Sequence, residues 1–170
     1  MPKAFISVGS NIHPETNILD AVSMLARAVT LRSVSTFYHT APVNRPGQPA
    51  FVNGMCEVET DLDPQVLKTQ VLHPIEAKLG RNRVTDKYAP RTIDLDVVLY
   101  DDVVLRTPEL RLPDPDLRAR AFLAKTLLEL APDTVLPDTG ERLAEVLTNC
   151  DRHDMIPLPE FTEQVKERLA

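Results

Sequence analysis

An α+β fold is predicted by three features of this 170-residue sequence. Short apolar runs of strand character alternate with two longer stretches of helical periodicity. Pro, Gly and Asn punctuate the boundaries between them. The resulting order is strand, helix, strand, strand, helix, strand, which is the split βαββαβ unit. It predicts a ferredoxin-like core, an antiparallel sheet flanked by helices. The length suits about one domain and suffices to bury a core.

Lys3–Val8 reads as the first strand, ended by Gly9-Ser10-Asn11. A helix from about Glu15 to Ala28 follows, with Ile18, Val22, Leu25 and Val29 along its apolar side. Leu31–His39 is a second strand, with Val34, Thr36 and Tyr38 alternating against Ser33, Ser35 and Phe37. Residues 40–50 carry Pro42, Pro46, Gly47 and Pro49, so they form a loop. Phe51–Thr60 is a third strand and Pro64–Leu79 a second helix, with Pro64 in its first turn. Pro74 lacks an N–H and crowds the carbonyl of Gln70, so a kink is expected there. Ile93–Tyr100 is the fourth strand, and Asp101-Asp102 turns Val103–Leu105 back as its hairpin partner. Ala119–Leu130 and Leu143–Leu147 are further helices. Residues 1–150 are expected to form one catalytic domain and 151–170 a tail. Phe161, Val165 and Leu169 recur every four residues, so 160–169 is a short helix docked on the body.

Composition narrows the function. No apolar run approaches the roughly 18–20 residues of a membrane span. MPKAFISVGSN lacks the apolar core of a secretory signal, so a cytoplasmic location is expected. A net charge of −6 argues against nucleic acid as a general partner. Cys56 and Cys150 have no metal-ligand spacing and read as buried thiols. A small-molecule substrate and a monomeric state are expected.

Residues 80–100, GRNRVTDKYAPRTIDLDVVLY, concentrate the chemistry. Asp94 and Asp96 are two apart in a strand, so their side chains face one way with Cα atoms roughly 6–7 Å apart. Two ionised carboxylates sharing one pocket repel each other, and hard oxygen donors of this kind suit Mg²⁺ bound together with phosphates. Arg81, Arg83, Lys87 and Arg91 supply the positive charge that a polyphosphate needs. The plainer alternative is a pair of surface carboxylates salt-bridged to these arginines. Taken alone, each arginine is more commonly a solvated surface charge. Their clustering around the aspartates favours a phosphoryl-transfer site.

The compound pattern Gly80-Arg81-x-Arg83, a short polar loop, Ala89-Pro90-Arg91, then Asp94-x-Asp96 and four apolar or aromatic residues resembles the signature of the 6-hydroxymethyl-7,8-dihydropterin pyrophosphokinase family of folate biosynthesis. The resemblance runs from about Lys3 to about Leu147. It implies Mg-dependent transfer of pyrophosphate from ATP to 6-hydroxymethyl-7,8-dihydropterin, giving AMP and the pterin diphosphate. It implies two Mg²⁺ ions on Asp94 and Asp96, with Arg81 and Arg91 stabilising the transferring phosphates. Phe51 and Phe122 occupy the family's stacking positions for the pterin, beside Asn53, Thr40, Ala41 and Val43. His73, Glu76, Arg83, Arg91, Val97, Arg111, Asp114 and Arg120 fall at nucleotide-side positions. Tyr88 falls where it can cover a ring of either substrate. A pterin needs ring faces above and below and paired donors and acceptors at its rim, which Phe51, Phe122 and Asn53 supply. The alternative for the two phenylalanines is ordinary core packing.

Four positions depart from the family pattern. Tyr88 replaces a common tryptophan, His73 a glutamine, Asp114 a histidine and Glu109 an often basic residue. A carboxylate at 114 repels a triphosphate, so ATP affinity is the property most affected. Two rivals follow: a degenerate pterin- or nucleotide-binding domain without activity, and another two-metal nucleotidyl transferase on the same scaffold. The segments 40–50 and 81–91 bury little apolar surface and are expected to order around substrates.

Overall fold

The computed structural model describes residues 1–40, 49–81, 91–148 and 155–169. Its first half holds β1 (Lys3–Ser10), α1 (Pro14–Ala28), β2 (Thr30–Val34), β3 (Tyr38–Thr40) and β4 (Phe51–Glu59). Next come α2 (Pro64–Val66), a π-helical stretch (Leu67–Leu72) and α3 (His73–Lys78), then β5 (Asp94–Tyr100). The short strands β6 (Leu105–Arg106) and β7 (Arg111–Leu112) precede a 3₁₀ turn at Pro115–Leu117. The chain ends in α4 (Ala121–Leu130), α5 (Leu143–Thr148), β8 (Met155–Pro157) and α6 (Pro159–Lys166).

The main sheet is ordered β5-β1-β4-β3-β8, with β2 also pairing β4. All of these pairings are antiparallel. This is the α+β, ferredoxin-like arrangement that the element order predicts. Strand alternation sends successive side chains to opposite faces. Ala4, Ile6 and Val8 pack with Ile18, Val22 and Leu25 of α1 and with Leu67 and Leu72. On the other face Phe5, Met55, Val98 and Leu99 pack with Leu123 and Leu127 of α4 and with Leu143 and Val146 of α5. Among the described residues no helix is long and apolar enough to cross a membrane.

β5 is an edge strand with a bulge. Phe5 pairs with Leu99 and Ile6 with Val97, which leaves Val98 as the extra residue. Leu95 and Val97 therefore face the first core, while Val98 and Leu99 both enter the second. The free edge is satisfied by other parts of the chain. The Leu95 N–H donates to Glu76 Oε2 at 3.0 Å, and the Val98 carbonyl accepts from the Asp114 N–H at 2.9 Å.

Several elements differ from the sequence reading. The expected strand 31–39 divides into β2 and β3. At the break the Ser35 hydroxyl takes up the Met55 N–H at 2.9 Å, and the Phe37 ring lies where a Cβ on Gly54 would stand. Residues 103–105 do not pair with β5. Asp101 has a left-handed backbone (φ 44°) and binds Lys3 through both its N–H and its carboxylate. The chain leaves the sheet there, and Leu105–Arg106 pairs with Arg111–Leu112 instead. The break expected at Pro74 takes the form of the π-helical stretch before it, in which the His73 N–H reaches Lys68 O. Widened turns accommodate a proline that can offer no donor.

The segment after Asp151 supplies β8, which pairs β3, and α6, whose Phe161 meets Phe37 edge-on at 5.7 Å. Cys56 is a buried free thiol, its pKa pushed up to about 12 by burial, while Cys150 lies outside the described residues.

Candidate active site

One row of residues crosses the sheet at the C-terminal end of β1. Gly9 is paired with Asp94 on one side and Asn53 on the other, and Ser7 is paired with Asp96. Directly opposed residues share a face and neighbouring strands lie about 4.8 Å apart, so Asp94 and Asn53 are roughly 10 Å apart on one surface. Phe51 and Asn53 have the same parity as Met55, which packs against α4 in the second core. Phe122, half-buried on α4, stands over this same face. Thr40 joins them, because its hydroxyl accepts from Asn53 Nδ2 at 2.6 Å. The expected pterin residues Thr40, Phe51, Asn53 and Phe122 thus come from β3, β4 and α4 to the face that bears Asp94.

Gly9 lets this row close up. A Cβ at position 9 would stand 2.4 Å from Asn53 Oδ1. Gly9→Ala is therefore expected to displace the Asn53 amide, breaking its bond to Thr40, with an overpacking cost of about 1–3 kcal/mol. Pterin affinity, measured by calorimetry, should fall by more than the loss of stability explains. An unchanged pterin affinity would remove Asn53 from the site.

The charged groups form a chain along the edge of β5. Glu76, only 2% exposed, accepts from Arg81 Nη1 at 2.5 Å as well as from the Leu95 N–H. The same Nη1 donates to Asp94 Oδ1 at 2.6 Å, and Arg91 Nη1 donates to Asp94 Oδ2 at 2.6 Å. Burial lowers the Arg81 pKa, but Asp94 and Glu76 outweigh it and hold the guanidinium more firmly charged than usual. Both oxygens of Asp94 are thereby oriented.

Asp96 differs from its neighbour. Its surface is exposed, yet protein atoms crowd its carboxyl, as at the floor of an open site. Desolvation first, then the charges of Asp94, Asp114 and Glu76, push its pKa well above the carboxylate range, against Arg81. The bond from the Asp114 N–H to the bulged Val98 brings this fourth carboxylate close. Asp114 also caps the 3₁₀ turn by accepting from the Asp116 N–H at 2.9 Å. Its pKa is raised to about 6, chiefly by burial, with the charges of Asp116 and Asp94 adding and the Asp116 N–H and Arg120 opposing.

An acid with a raised folded pKa destabilises the folded protein once it ionises. Between its unfolded value near 4 and about 6 the folded state holds the proton more firmly, so stability falls as pH rises through that window. Asp114→Asn keeps the cap and removes the charge. Without metal it is expected to exceed the parent at pH 8 by on the order of 1–2 kcal/mol and to match it near pH 4. Thermal unfolding at the two pH values checks this. Equal stability at pH 8 would place Asp114 in solvent.

The remaining expected residues are less uniformly gathered. Arg120, at the start of α4, is 3.7 Å from Asp116 and acts on Asp114. His73 is half-buried at the start of α3, three residues before Glu76. The Val97 side chain is 2% exposed in the core on the opposite face from the aspartates. Arg111 is exposed and lines a depression of about 680 Å³ with Arg106, Arg118 and Asp138. Ala41, Val43, Arg83, Lys87 and Tyr88 lie outside the described residues. The sequence reading took Gly9-Ser10-Asn11 only as a strand end. Their positions after a buried strand and before a Pro-started helix are the signal that backbone approaches closely there.

The family model for 7,8-dihydro-6-hydroxymethylpterin-pyrophosphokinase (HPPK) matches residues 5–132. The chain is 36% identical over 160 residues to the 2-amino-4-hydroxy-6-hydroxymethyldihydropteridine pyrophosphokinase of Pseudomonas aeruginosa, covering 92% of this chain and 97% of that protein. It is 36% identical over 159 residues to the folic acid synthesis protein fol1 of Pneumocystis carinii. That match covers 92% of this chain but only 21% of the fungal protein. The chain thus spans about a fifth of the length of that relative. A crystal structure of Plasmodium falciparum HPPK-DHPS shares the fold at a TM-score of 0.65 and 14% identity, over 86% of this chain and 44% of that one. With the matched family model extending over most of the chain and full-length relatives above 30% identity, the chain belongs to the 7,8-dihydro-6-hydroxymethylpterin-pyrophosphokinase family.

Proposed function

We propose that the chain transfers pyrophosphate from ATP to 6-hydroxymethyl-7,8-dihydropterin, releasing AMP, in folate biosynthesis. The observation that supports this reading is the single row Asp94–Gly9–Asn53, which brings a carboxylate suited to the phosphates and an amide suited to the pterin rim onto one surface. The pterin lies between Phe51 and Phe122, and the Asn53 amide meets its rim with a donor and an acceptor. Its hydroxymethyl oxygen attacks the β-phosphorus of ATP and gives up its proton to solvent. The bond from that phosphorus to the α,β-bridging oxygen breaks, and AMP leaves with the bridging oxygen. Arg91 and Arg81, already aligned by Asp94 and Glu76, approach the transferring phosphates as charge moves. Arg83, Arg120 and His73 belong to the nucleotide side of the same reading.

The donor set fits Mg²⁺. Glu76, Asp94, Asp96 and Asp114 outnumber the arginines described beside them, and desolvation together with its carboxylate neighbours pushes the Asp96 pKa upward, which a bound cation would offset. Among the described residues no group of three His, Cys, Asp or Glu side chains could hold a metal alone. Asp94 and Asp96 would hold the cations jointly with phosphate oxygens, as Mg²⁺ prefers. When bound, two Mg²⁺ ions supply charge neutralisation on the phosphate oxygens and alignment of the two substrates. A cytoplasmic monomer and a catalytic unit spanning residues 1–150 belong to the same proposal.

Nucleotide separation after incubation with ATP, Mg²⁺ and 6-hydroxymethyl-7,8-dihydropterin tests it. AMP should form only when the pterin is present. Pterin-dependent ADP, or no nucleotide turnover at all, would overturn the assignment.

A further inference from the structure

Asn11 is only 3% exposed, at the point where β1 gives way to α1. Its surroundings are tied down: Ser10 Oγ donates to the Ile12 carbonyl at 3.1 Å and Asn17 Nδ2 to the same carbonyl at 2.6 Å. From this support Asn11 reaches two other parts of the chain. Its Oδ1 accepts from the Arg91 N–H at 2.7 Å, and its own N–H donates to the Arg91 carbonyl at 3.1 Å. Its Nδ2 points to the Pro49 carbonyl at 3.5 Å, a longer contact. Arg91 is three residues before Asp94, and Pro49 two residues before Phe51.

We infer that Asn11 is a positioning residue for the reaction proposed above, fixing Arg91 against Asp94 and, more weakly, the entry to the pterin-bearing strand β4. Arg91 is held at both ends. Asn11 fixes its backbone on two bonds, and Asp94 Oδ2 holds its guanidinium at 2.6 Å. With the Oδ1 bond lost and only the main-chain bond kept, the Arg91 backbone can shift so that the guanidinium follows Asp94 without standing where a phosphate needs it, and misplacements of about 1 Å cost roughly a hundredfold in rate. An amide suits this position because one side chain presents an acceptor to the Arg91 N–H and a donor toward the Pro49 carbonyl. Ala presents neither. Asp keeps the acceptor for the Arg91 N–H and lacks the donor toward Pro49.

The test compares Asn11→Ala and Asn11→Asp with the parent protein. Thermal unfolding and circular dichroism establish the folded fraction. Turnover, both KM values and the affinity for a non-hydrolysable ATP analogue with Mg²⁺ are then taken per folded molecule. Asn11→Ala is expected to lose at least about tenfold in kcat and about fivefold in analogue affinity. Asn11→Asp should restore both to within about threefold of the parent while raising the pterin KM. The inference is overturned if Asn11→Ala stays within about threefold of the parent, if only its melting temperature drops, or if Asn11→Asp fares no better than Ala. The proposed activity stands or falls on the parent's own pterin-dependent AMP. The analogue affinities decide the role of Asn11 even if the parent proves inactive.

Discussion

Asp96→Ala is expected to fold with unchanged or higher metal-free stability and to lose at least roughly a hundredfold in turnover. The two effects have one cause. Asp96 sits beside Asp94, Asp114 and Glu76, which raise its pKa after desolvation has done so. Removing it relieves like-charge repulsion in the metal-free protein. It also removes one of the two carboxylates that would fix the cation on the phosphates. Stability from thermal unfolding without metal, and kcat at saturating Mg²⁺ and ATP, separate the two. Turnover within a few-fold of the parent would remove Asp96 from the metal site. A large drop in melting temperature would instead mark Asp96 as a structural partner.

Arg81→Ala should act in the opposite sense, as a large loss of stability. Arg81 is the described cation against Glu76 and shares Asp94 with Arg91. Removing one partner of a buried ion pair costs about 3–5 kcal/mol because the other charge stays buried. For a chain of this size that is a fall of roughly 10 °C in melting temperature. A second change, Glu76→Gln, should recover part of the loss at pH 8. An Arg81→Ala protein within about 1 kcal/mol of the parent at pH 8 would show that the pair carries little of the local structure.

The element order was legible because it rests on local pattern. Alternation in Lys3–Val8 and Phe51–Thr60, helical spacing in Ile18–Leu25 and the same-side geometry of Asp94 and Asp96 all follow from chain periodicity. What escaped depends on partners distant in sequence. Met155–Pro157 is too short and too proline-marked to read as a strand, and becomes one only because β3 presents a free edge. The bulge at Val98 reflects a register with β1 that no window on β5 reveals. Val97, which the resemblance placed near the nucleotide, has its side chain on the core side of that strand. Glu76 read as a nucleotide-side residue. Its carboxylate also closes the edge of β5 at the Leu95 N–H, a role set by how α3 packs. Asn11 looked like a strand terminator because its partners, Arg91 and Pro49, are 80 and 38 residues away.

Pyrophosphoryl transfer itself is most directly tested by the fate of the two outer phosphorus atoms of ATP. The protein is incubated with 6-hydroxymethyl-7,8-dihydropterin, Mg²⁺ and ATP labelled at the β- or the γ-phosphorus in separate reactions, and the pterin product is isolated. Attack at the β-phosphorus predicts equal molar recovery of both labels in the pterin, with the α-phosphorus left in AMP. Recovery of the γ label alone, with ADP as the other product, would contradict the account.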